Sequence, residues 1–176
     1  MEGHGSNWHF GIGKFRHPCR TVILSKLPTF QPRGYKWVRF TGDRYFVPGM
    51  ICVGKDLDGL NLVVGRAMHY GEMLPAKVKP EHGVAYVCYN GSEYTKHDFE
   101  ILMPAEFHWV HASNGHVPPH AVESGKTEEG EMLYVGRAFQ NNIPCVGKVH
   151  RTHGALYVPY AGKEISFKDY EVLVLS

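Results

Sequence analysis

The sequence predicts an all-β fold of two tandem antiparallel repeats, packed around a pseudo-twofold axis as a sandwich or barrel. Residues 54–103 return as residues 125–174 at a constant offset of 71, and 20 of these 50 aligned positions are identical. The apolar runs inside each copy are too short for helices. The chain also contains 20 glycines and 11 prolines, spread at short intervals, which favours many turns.

The repeat divides the chain into three predicted parts. Residues 1–34 lie outside the repeat as an N-terminal arm, in which the segment RTVILSK (20–26) is a candidate strand. This arm is interpreted as the cover of a sheet edge, with a targeting or partner-docking segment as the alternative. Residues 35–106 form the first repeat and residues 107–176 the second. Neither copy alone has enough apolar surface for a stable core, so the two are expected to share one.

Each predicted element occurs in both copies, which gives five or so short strands per repeat. The copies open on YKWV and FHWV, and a Gly-Lys-x-x-x-Gly turn leads into the apolar strands LNLVVGRAM and MLYVGRAF. A PxxGK-like turn and a short strand near residues 77–79 come next in the first copy. Tight turns are then predicted at His82-Gly83 and His153-Gly154. Alternating strands follow, VAYVCY and ALYVPY, and the copies close on DFEILM and DYEVLV.

Composition narrows the class of protein. A hydrophobic share of 43% and a charged share of 20% are ordinary for a folded globule, and a net charge of +2 does not favour nucleic acid or membrane as a partner. No apolar run approaches the ~20 residues of a membrane span, and the first residues lack the apolar segment of a secretory signal. The four cysteines form no CxxC pair and do not recur between copies, so reduced thiols and a cytoplasmic location are expected. Unconventional secretion is the alternative to action within the cytosol.

Several spaced motifs together resemble the DM-nine repeat family. In the first copy they are YKWV, GKDLDG, VGRA, LPAKV, HG, YVCYNGSE and FEILM. In the second they are WVHASNGHVPPHAV, LYVGRA, GKV, HGALYVPYAGKE and DYEVLV. The resemblance covers roughly residues 35–175. It implies a non-enzymatic, mannose-type lectin that recognises microbial or other glycans in innate defence, with no cofactor. A homodimer is a possible assembly, because paired weak sites raise avidity.

The same resemblance implies the site residues. Family members bind sugar through an acidic residue in the GxD turn and a lysine about 21 residues later, which match Asp56 and Lys77. Asp58 lies in the same turn. In the second copy the lysine is Lys148, but Thr127 replaces the aspartate, so Glu128 or Glu129 is the candidate substitute.

The chemistry of these residues suits a sugar. A carboxylate accepts hydrogen bonds from two adjacent hydroxyls, and an ammonium group donates to the remaining lone pairs. The structural alternative is that Asp56 and Asp58 hydrogen-bond their own turn and that the lysines are simply solvated. An intracellular protein-interaction module without sugar binding is the alternative function.

Other recurring residues favour structural roles. Arg66 and Arg137 lie in apolar strands and need a carboxylate partner, for which Glu93/Glu164 and Glu100/Glu171 are the candidates. Trp37 and Trp109 are expected to pack in the core, with stacking on a sugar as the alternative.

Metal and enzyme interpretations are disfavoured. His108/His111 and His150/His153 are separated by three residues, which on a strand places the rings on opposite faces. The sequence has no HExxH and no Cys/His zinc spacing, and it lacks the GxSxG, GxGxxG and P-loop motifs of common enzyme classes. The pair Asp56 and Asp58 is too close along one turn to flank a glycosidic bond.

Overall fold

The computed structural model describes residues 34–41, 50–103 and 105–176, and these contain fourteen strands. The first repeat contributes seven, namely β1 (Trp37–Arg39), β2 (Cys52–Lys55), β3 (Asn61–His69), β4 (Glu72–Lys79), β5 (Val84–Tyr89), β6 (Ser92–Lys96) and β7 (Glu100–Leu102). The second contributes β8 (Phe107–Ser113), β9 (Glu123–Lys126), β10 (Met132–Gln140), β11 (Ile143–His150), β12 (Ala155–Tyr160), β13 (Lys163–Phe167) and β14 (Asp169–Leu175). A 3₁₀ turn, Pro80–His82, follows β4.

All fourteen strands belong to one curled antiparallel sheet, which confirms the predicted all-β class. The strand order is β1-β7-β3-β4-β5-β6-β13-β12-β11-β10-β14-β8, with β2 added to β3 and β9 added to β10. The second half of this order repeats the first half in reverse. Strands β6 and β13, which are equivalent, therefore meet at the centre, where Lys163 pairs with Ser92. The two repeats are thus related by a pseudo-twofold axis that passes between β6 and β13.

The observed strands differ from the predicted ones in number and length. Seven strands per repeat replace the expected five or so, because β1 and β2 (and their counterparts) form separate short strands. The proline turn predicted in the first copy is wrong, since Pro75 lies inside β4 opposite Arg66. The chain turns instead at Tyr70-Gly71, where both residues have positive φ. A proline is tolerated in a strand where its missing N–H is not needed by the neighbouring strand. The predicted turns at Gly83 and Gly154 are confirmed, with φ of 63° and 64°.

The two repeats share their hydrophobic core. One cluster joins Leu62, Val64 and Leu102 of the first repeat to a set from the second that includes Leu156 and Val172. The other cluster is built from the first repeat, and Leu133 of the second repeat joins it. Strand β2 packs on β11, and β9 packs on β4. Each repeat therefore contacts the hairpin of long strands in the other repeat, which is β3–β4 in the first and β10–β11 in the second. The expectation of a shared core is confirmed.

Three remaining expectations meet different outcomes. The reduced state holds for Cys88 and Cys145, which are buried free thiols, but is wrong for Cys52, which is disulfide-bonded. A disulfide does not have to recur in both copies, so cysteines that differ between the repeats are compatible with one. The predicted strand at 20–26 lies outside the described residues. Within the described residues, none of the helical structure has the length and apolar character needed to cross a bilayer.

Candidate functional site

The turn between β2 and β3 carries the two predicted aspartates, and their side chains brace it. The Asp56 N–H donates to Leu60 O at 2.9 Å, and the Gly59 N–H donates to Asp56 O at 2.9 Å. Asp56 Oδ1 accepts the Leu57 N–H at 2.8 Å, and Asp58 Oδ1 accepts the Leu60 N–H at 3.0 Å. The structural role proposed for these aspartates is therefore confirmed, and each carboxylate keeps its second oxygen for another partner.

That second partner is Lys79. Its ammonium donates to Asp56 Oδ2 at 2.8 Å and also to Asp58 Oδ2. Burial lowers the pKa of Lys79, but the hydrogen bonds to the two aspartates outweigh it, so this pKa lies above its usual value. Burial raises the pKa of Asp56, but the hydrogen bonds from the Lys79 ammonium and from the Leu57 N–H together outweigh this effect. The pKa of Asp56 therefore lies below its usual value. Hydrogen bonds from Lys79 and from the Leu60 N–H also lower the pKa of Asp58, so both carboxylates are ionised at neutral pH.

Lys77 lies in a separate cage that is built from both repeats. The residue is only 8% exposed, and its ammonium donates to Pro159 O of the second repeat at 3.1 Å. Glu93 Oε2 is 4.0 Å from the same nitrogen. The rings of Tyr86 and Tyr160 lie 5.3 and 5.8 Å from it, within the range of a cation–π contact.

Lys148 occupies the symmetry-related cage. Its ammonium donates to Cys88 O of the first repeat at 3.0 Å and forms an ion pair with Glu164 Oε1 at 3.0 Å. Tyr89 and Tyr157 supply the rings, at 5.5 and 5.9 Å. Each predicted lysine therefore lies at the junction of the repeats, where neither repeat alone completes its surroundings.

The structure does not pair Asp56 with Lys77: Asp56 contacts Lys79, whereas Lys77 contacts Pro159 O and Glu93. Gly54, two residues before Asp56, is held so close to β11 that a Cβ there would lie 2.6 Å from Pro144 Cγ. The structure thus places the carboxylate turn of one repeat against the hairpin of the other.

The second repeat keeps the turn but changes its chemistry. The Thr127 hydroxyl accepts the Glu131 N–H at 3.1 Å, so threonine supports the turn without a carboxylate. The Glu128 N–H donates to Glu72 Oε1 at 3.2 Å. The Glu128 and Glu129 side chains are exposed, and neither forms an ion pair with Lys148 in the described part of the chain.

His150 stands where the first repeat has Lys79. Its Nδ1 lies 3.2 Å from Glu131 Oε1, and its ring stacks on that of His153 at 3.6 Å with an interplanar angle of 4°. The expectation that these rings lie on opposite faces is wrong, because residues 151–154 form a turn rather than continuing the strand. Among the described residues, no group of three or more His, Cys, Asp or Glu side chains is arranged to hold a metal ion.

The two arginines form the ion pairs expected of them. Arg66 Nε lies 2.5 Å from Glu100 Oε2, and Arg137 Nε lies 2.6 Å from Glu171 Oε2. The guanidinium groups also stack over Trp37 and Trp109, at 4.6 and 4.3 Å from the ring centroids. Of the candidate carboxylates, Glu100 and Glu171 serve the arginines, whereas Glu93 and Glu164 serve the caged lysines.

Comparison with known proteins decides the family. The model of the DM9 repeat matches residues 56–167, which is more than half of the chain. The chain belongs to the DM9 repeat family. The matched region begins at Asp56 and contains both caged lysines. Membership of this family supports a carbohydrate-binding, lectin-like module that is not catalytic.

Two further proteins are similar to this DM9 protein. Natterin-3 from Thalassophryne nattereri is 37% identical over 95 residues, which are 52% of this chain and 24% of Natterin-3. The chain thus spans about a quarter of the length of that relative. The nematode sperm cell motility protein MFP2B has a similar structure, with a TM-score of 0.60 at 13% identity, over 86% of this chain and 49% of the other. At that identity the likeness concerns the fold alone.

Sequence reasoning missed two contributions to the surroundings of the predicted residues. Lys79 pairs with the aspartates, and four tyrosines surround the two buried lysines. The signal for Lys79 was present, because Lys77 and Lys79 are two residues apart on a strand and therefore share a face. The tyrosines Tyr86, Tyr89, Tyr157 and Tyr160 recur in both copies, but recurrence cannot tell which lysine each ring approaches. That assignment depends on the pairing between repeats.

Proposed function

We propose that this protein is a mannose-type lectin that binds microbial or other glycans in innate defence. It is made in the cytoplasm and leaves by unconventional secretion, since the Cys52 disulfide is typical of an oxidising compartment. The observation that carries the proposal is the DM9 match, which spans both predicted sites. Asp56 and Lys77, with Asp58 beside them, form the principal site. Lys148, with Glu128 or Glu129 as the acceptor, forms the second.

The geometry of the principal site supports hydroxyl recognition. The Asp56 side chain is 27% exposed, and each of its oxygens has accepted one hydrogen bond and retains a lone pair. Lys77 has three N–H donors, of which one serves Pro159 O. Two neighbouring sugar hydroxyls can donate to the Asp56 carboxylate. A further hydroxyl can accept from the Lys77 ammonium, which has donors left after its bond to Pro159 O. Lys79 fixes the orientation of the carboxylate and is therefore a positioning residue.

A single small site of this kind binds weakly, so the number of sites matters. Linking sites raises the apparent affinity without any new contact, provided that the ligand reaches both. The pseudo-twofold arrangement presents two related cages on one molecule, and homodimerisation would double them.

A protein-binding role is the second candidate. Exposed apolar side chains favour it, since Leu57 is 85% exposed and Tyr70 is 71% exposed at the tips of two turns. A module with this fold and no affinity for sugars would use such turns to contact a protein partner.

The test exchanges residues between the copies. Asp56→Thr gives the first repeat the residue of the second, and Thr127 shows that threonine supports this turn. We expect the variant to bind mannose about tenfold more weakly or worse, which corresponds to about 1.4 kcal/mol. Its melting temperature should fall modestly, because the buried Lys79 ammonium then keeps only Asp58 as a partner. Thr127→Asp should strengthen binding at the second site. Isothermal titration with mannose measures both affinities.

Asp98→Asn is the matched control, because Asp98 is an exposed carboxylate that pairs with Arg39 away from both cages. It should leave mannose affinity unchanged. If Asp56→Thr binds mannose as tightly as the natural sequence, the site assignment is wrong. If the folded natural protein retains no sugar on a glycan array, the protein-binding candidate replaces the lectin.

A further inference from the structure

The strand β8 lies at one end of the sheet and has an open edge. The sheet runs from β1 at one end to β8 at the other, and among the described strands β8 pairs with β14 alone. In an antiparallel pair, residues that exchange hydrogen bonds across the pair alternate with residues whose N–H and C=O groups point to the other side. Every second residue of β8 therefore directs its backbone away from β14.

The register with β14 shows which backbone groups point to the open edge. The Asn114 N–H donates to Lys168 O at 2.9 Å, and this contact lies in the register of β8 with β14. The even-numbered residues of β8 therefore form the hydrogen bonds to β14. The odd-numbered residues direct their N–H and C=O groups outward, and they include Phe107, Trp109 and His111.

The two ends of the sheet differ in length and charge. Strand β1, the counterpart of β8 in the first repeat, has three residues and ends at Arg39, which pairs with Asp98 at the surface. Strand β8 has seven residues and contains no lysine, arginine, aspartate, glutamate or proline. Short or charged edge strands discourage pairing with another chain, whereas a long uncharged edge favours it. Of the two ends, β8 is the one suited to accept a further strand.

The side chains of β8 leave apolar surface at this edge. Val110 lies opposite the buried Val172, on the face of the sheet that packs into the core, but Val110 itself is only half-buried. The half-buried Trp109 ring lies on the other face, where the Arg137 guanidinium stacks on it at 4.3 Å. A strand added at this edge would remove apolar surface from water on both faces.

A second copy of β8 is complementary to this edge. Two β8 strands related by a twofold axis at Trp109 run antiparallel, so Trp109 faces its own counterpart and Phe107 faces His111 of the second copy. Each of these pairs exchanges two hydrogen bonds, which gives about six across the junction. The two tryptophan rings meet on one face and no Lys, Arg, Asp or Glu side chain of β8 opposes a like charge, both of which favour an antiparallel pair.

This pairing stops at two copies. It uses the open edge of both β8 strands, and the outer ends of the joined sheet are then the short, charged β1 strands. A contact in which both subunits use the same surface closes on itself, so it gives a dimer rather than a fibre.

We propose that the open edge of β8 is the interface of a homodimer, in which two copies join their sheets by antiparallel β8–β8 pairing. The interface does not rest on sugar binding, since β8 contains none of the residues of the two lysine cages. A dimer of this kind would carry both pairs of cages on one continuous sheet.

Sedimentation velocity of the full chain measures the assembly, and amide hydrogen exchange locates it. We expect the 19.9 kDa chain to approach twice that mass as its concentration rises. The dimer Kd should be on the order of 10 μM. In the dimer the Trp109 and His111 amides should exchange several-fold more slowly than in the monomer. The His108 and Val110 amides, which are already bonded to β14, should not depend on concentration.

His111→Pro tests the pairing directly. The His111 N–H points away from β14, so proline removes a donor from the dimer and none from the β8–β14 pair. His111→Thr is the matched control, because it changes the same side chain and keeps the N–H. We expect His111→Pro to raise the dimer Kd by about tenfold or more, with a Kd close to the natural one in His111→Thr. Thermal melting of both variants checks that they fold.

Three results would overturn the proposal. The first is a natural protein that stays monomeric at all concentrations, as it would if the N-terminal arm or another protein covered the edge. The second is a dimer in which the Trp109 and His111 amides exchange as fast as in the monomer. The third is a folded His111→Pro that dimerises as tightly as His111→Thr. A dimer that binds no mannose would contradict the proposed lectin and leave this interface standing.

Discussion

Gly65, in the recurring VGRA segment, allows two strands to lie unusually close together. A Cβ at this position would lie 2.7 Å from Glu100 O on β7 and closer still to Val78 Cγ2 on β4. The next residue, Arg66, forms its 2.5 Å ion pair with Glu100 across the same gap. The glycine is thus required by the close packing that brings arginine and glutamate together.

Replacing this glycine should therefore destabilise the fold. We expect Gly65→Ala to lower the free energy of unfolding by about 1–3 kcal/mol, the usual cost of overpacking. Gly136→Ala should cost less. A Cβ there would meet mainly the side-chain ends of Val149 and Leu156, at 2.6 and 2.8 Å, while the nearest backbone oxygen is 3.2 Å away. Urea unfolding of both variants measures the difference. A larger loss in Gly136→Ala would contradict this account of the gap.

The hairpin β11–β12 shows how two equivalent elements diverged in charge. In the first repeat Lys79 bridges two aspartates, whereas in the second repeat His150 stacks on His153 and faces Glu131. Burial lowers the pKa of His150; Glu131 acts against this effect, while His153 and Lys148 add to it. Burial also lowers the pKa of His69, with Lys96 and Lys148 adding to the effect.

Both histidines should make the fold less stable in mild acid. In the unfolded chain histidine titrates near pH 6.5, and the folded state resists protonation because its pKa values are lower. The contribution of these neutral histidines to the free energy of unfolding should therefore be complete above about pH 6.5. The free energy of unfolding should fall as the pH drops below that value. We expect urea unfolding to show this fall between pH 7 and pH 5.5.

Substitution assigns the fall to particular side chains. His150→Gln and His69→Gln, which takes the residue of Gln140 in the second repeat, should each reduce the pH dependence. The double variant should reduce it further. Equal stability of the natural protein at the two pH values, or a full fall in the double variant, would contradict this assignment.

At the scale of the whole molecule, the two repeats form one interlocked unit. The Glu93 N–H donates to Gly162 O at 3.1 Å, and the Glu164 N–H donates to Gly91 O at 3.0 Å, across the central pair of strands. The caged lysines add a hydrogen bond in each direction, and one core cluster contains residues of both copies. Separation would expose this core and leave both lysines without their cages.

The interlocking predicts cooperative folding. We expect residues 35–106 and 107–176, expressed as separate fragments, to lack the dispersed amide resonances of a folded protein. Mixing the fragments should restore the dispersion, because the interface supplies the missing core. The full chain should unfold in a single thermal transition. A fragment that is folded alone, or two resolved transitions in the full chain, would show that the repeats are independent.

Much of this architecture is readable from the sequence because its signals are local or repeated. The apolar run of β10 and the turns at Gly83 and Gly154 follow from residue type and spacing alone. The duplication also indicated the arginine–carboxylate pairs, since Arg66 and Glu100 recur together as Arg137 and Glu171. The extent of β4 was not readable, because Pro75 resembles a turn signal and only the neighbouring strand shows that it is tolerated.

The sequence by itself determined the all-β class, the duplication, the family and the residue types available for binding a sugar. Only the tertiary structure decided which ammonium group meets which carboxylate: Lys79 contacts Asp56, while Lys77 and Lys148 lie in cages completed by the opposite repeat. The physical reason is the direction of the interactions. Strand periodicity fixes which side chains share a face, but partners supplied across the pseudo-twofold axis depend on how the two copies dock.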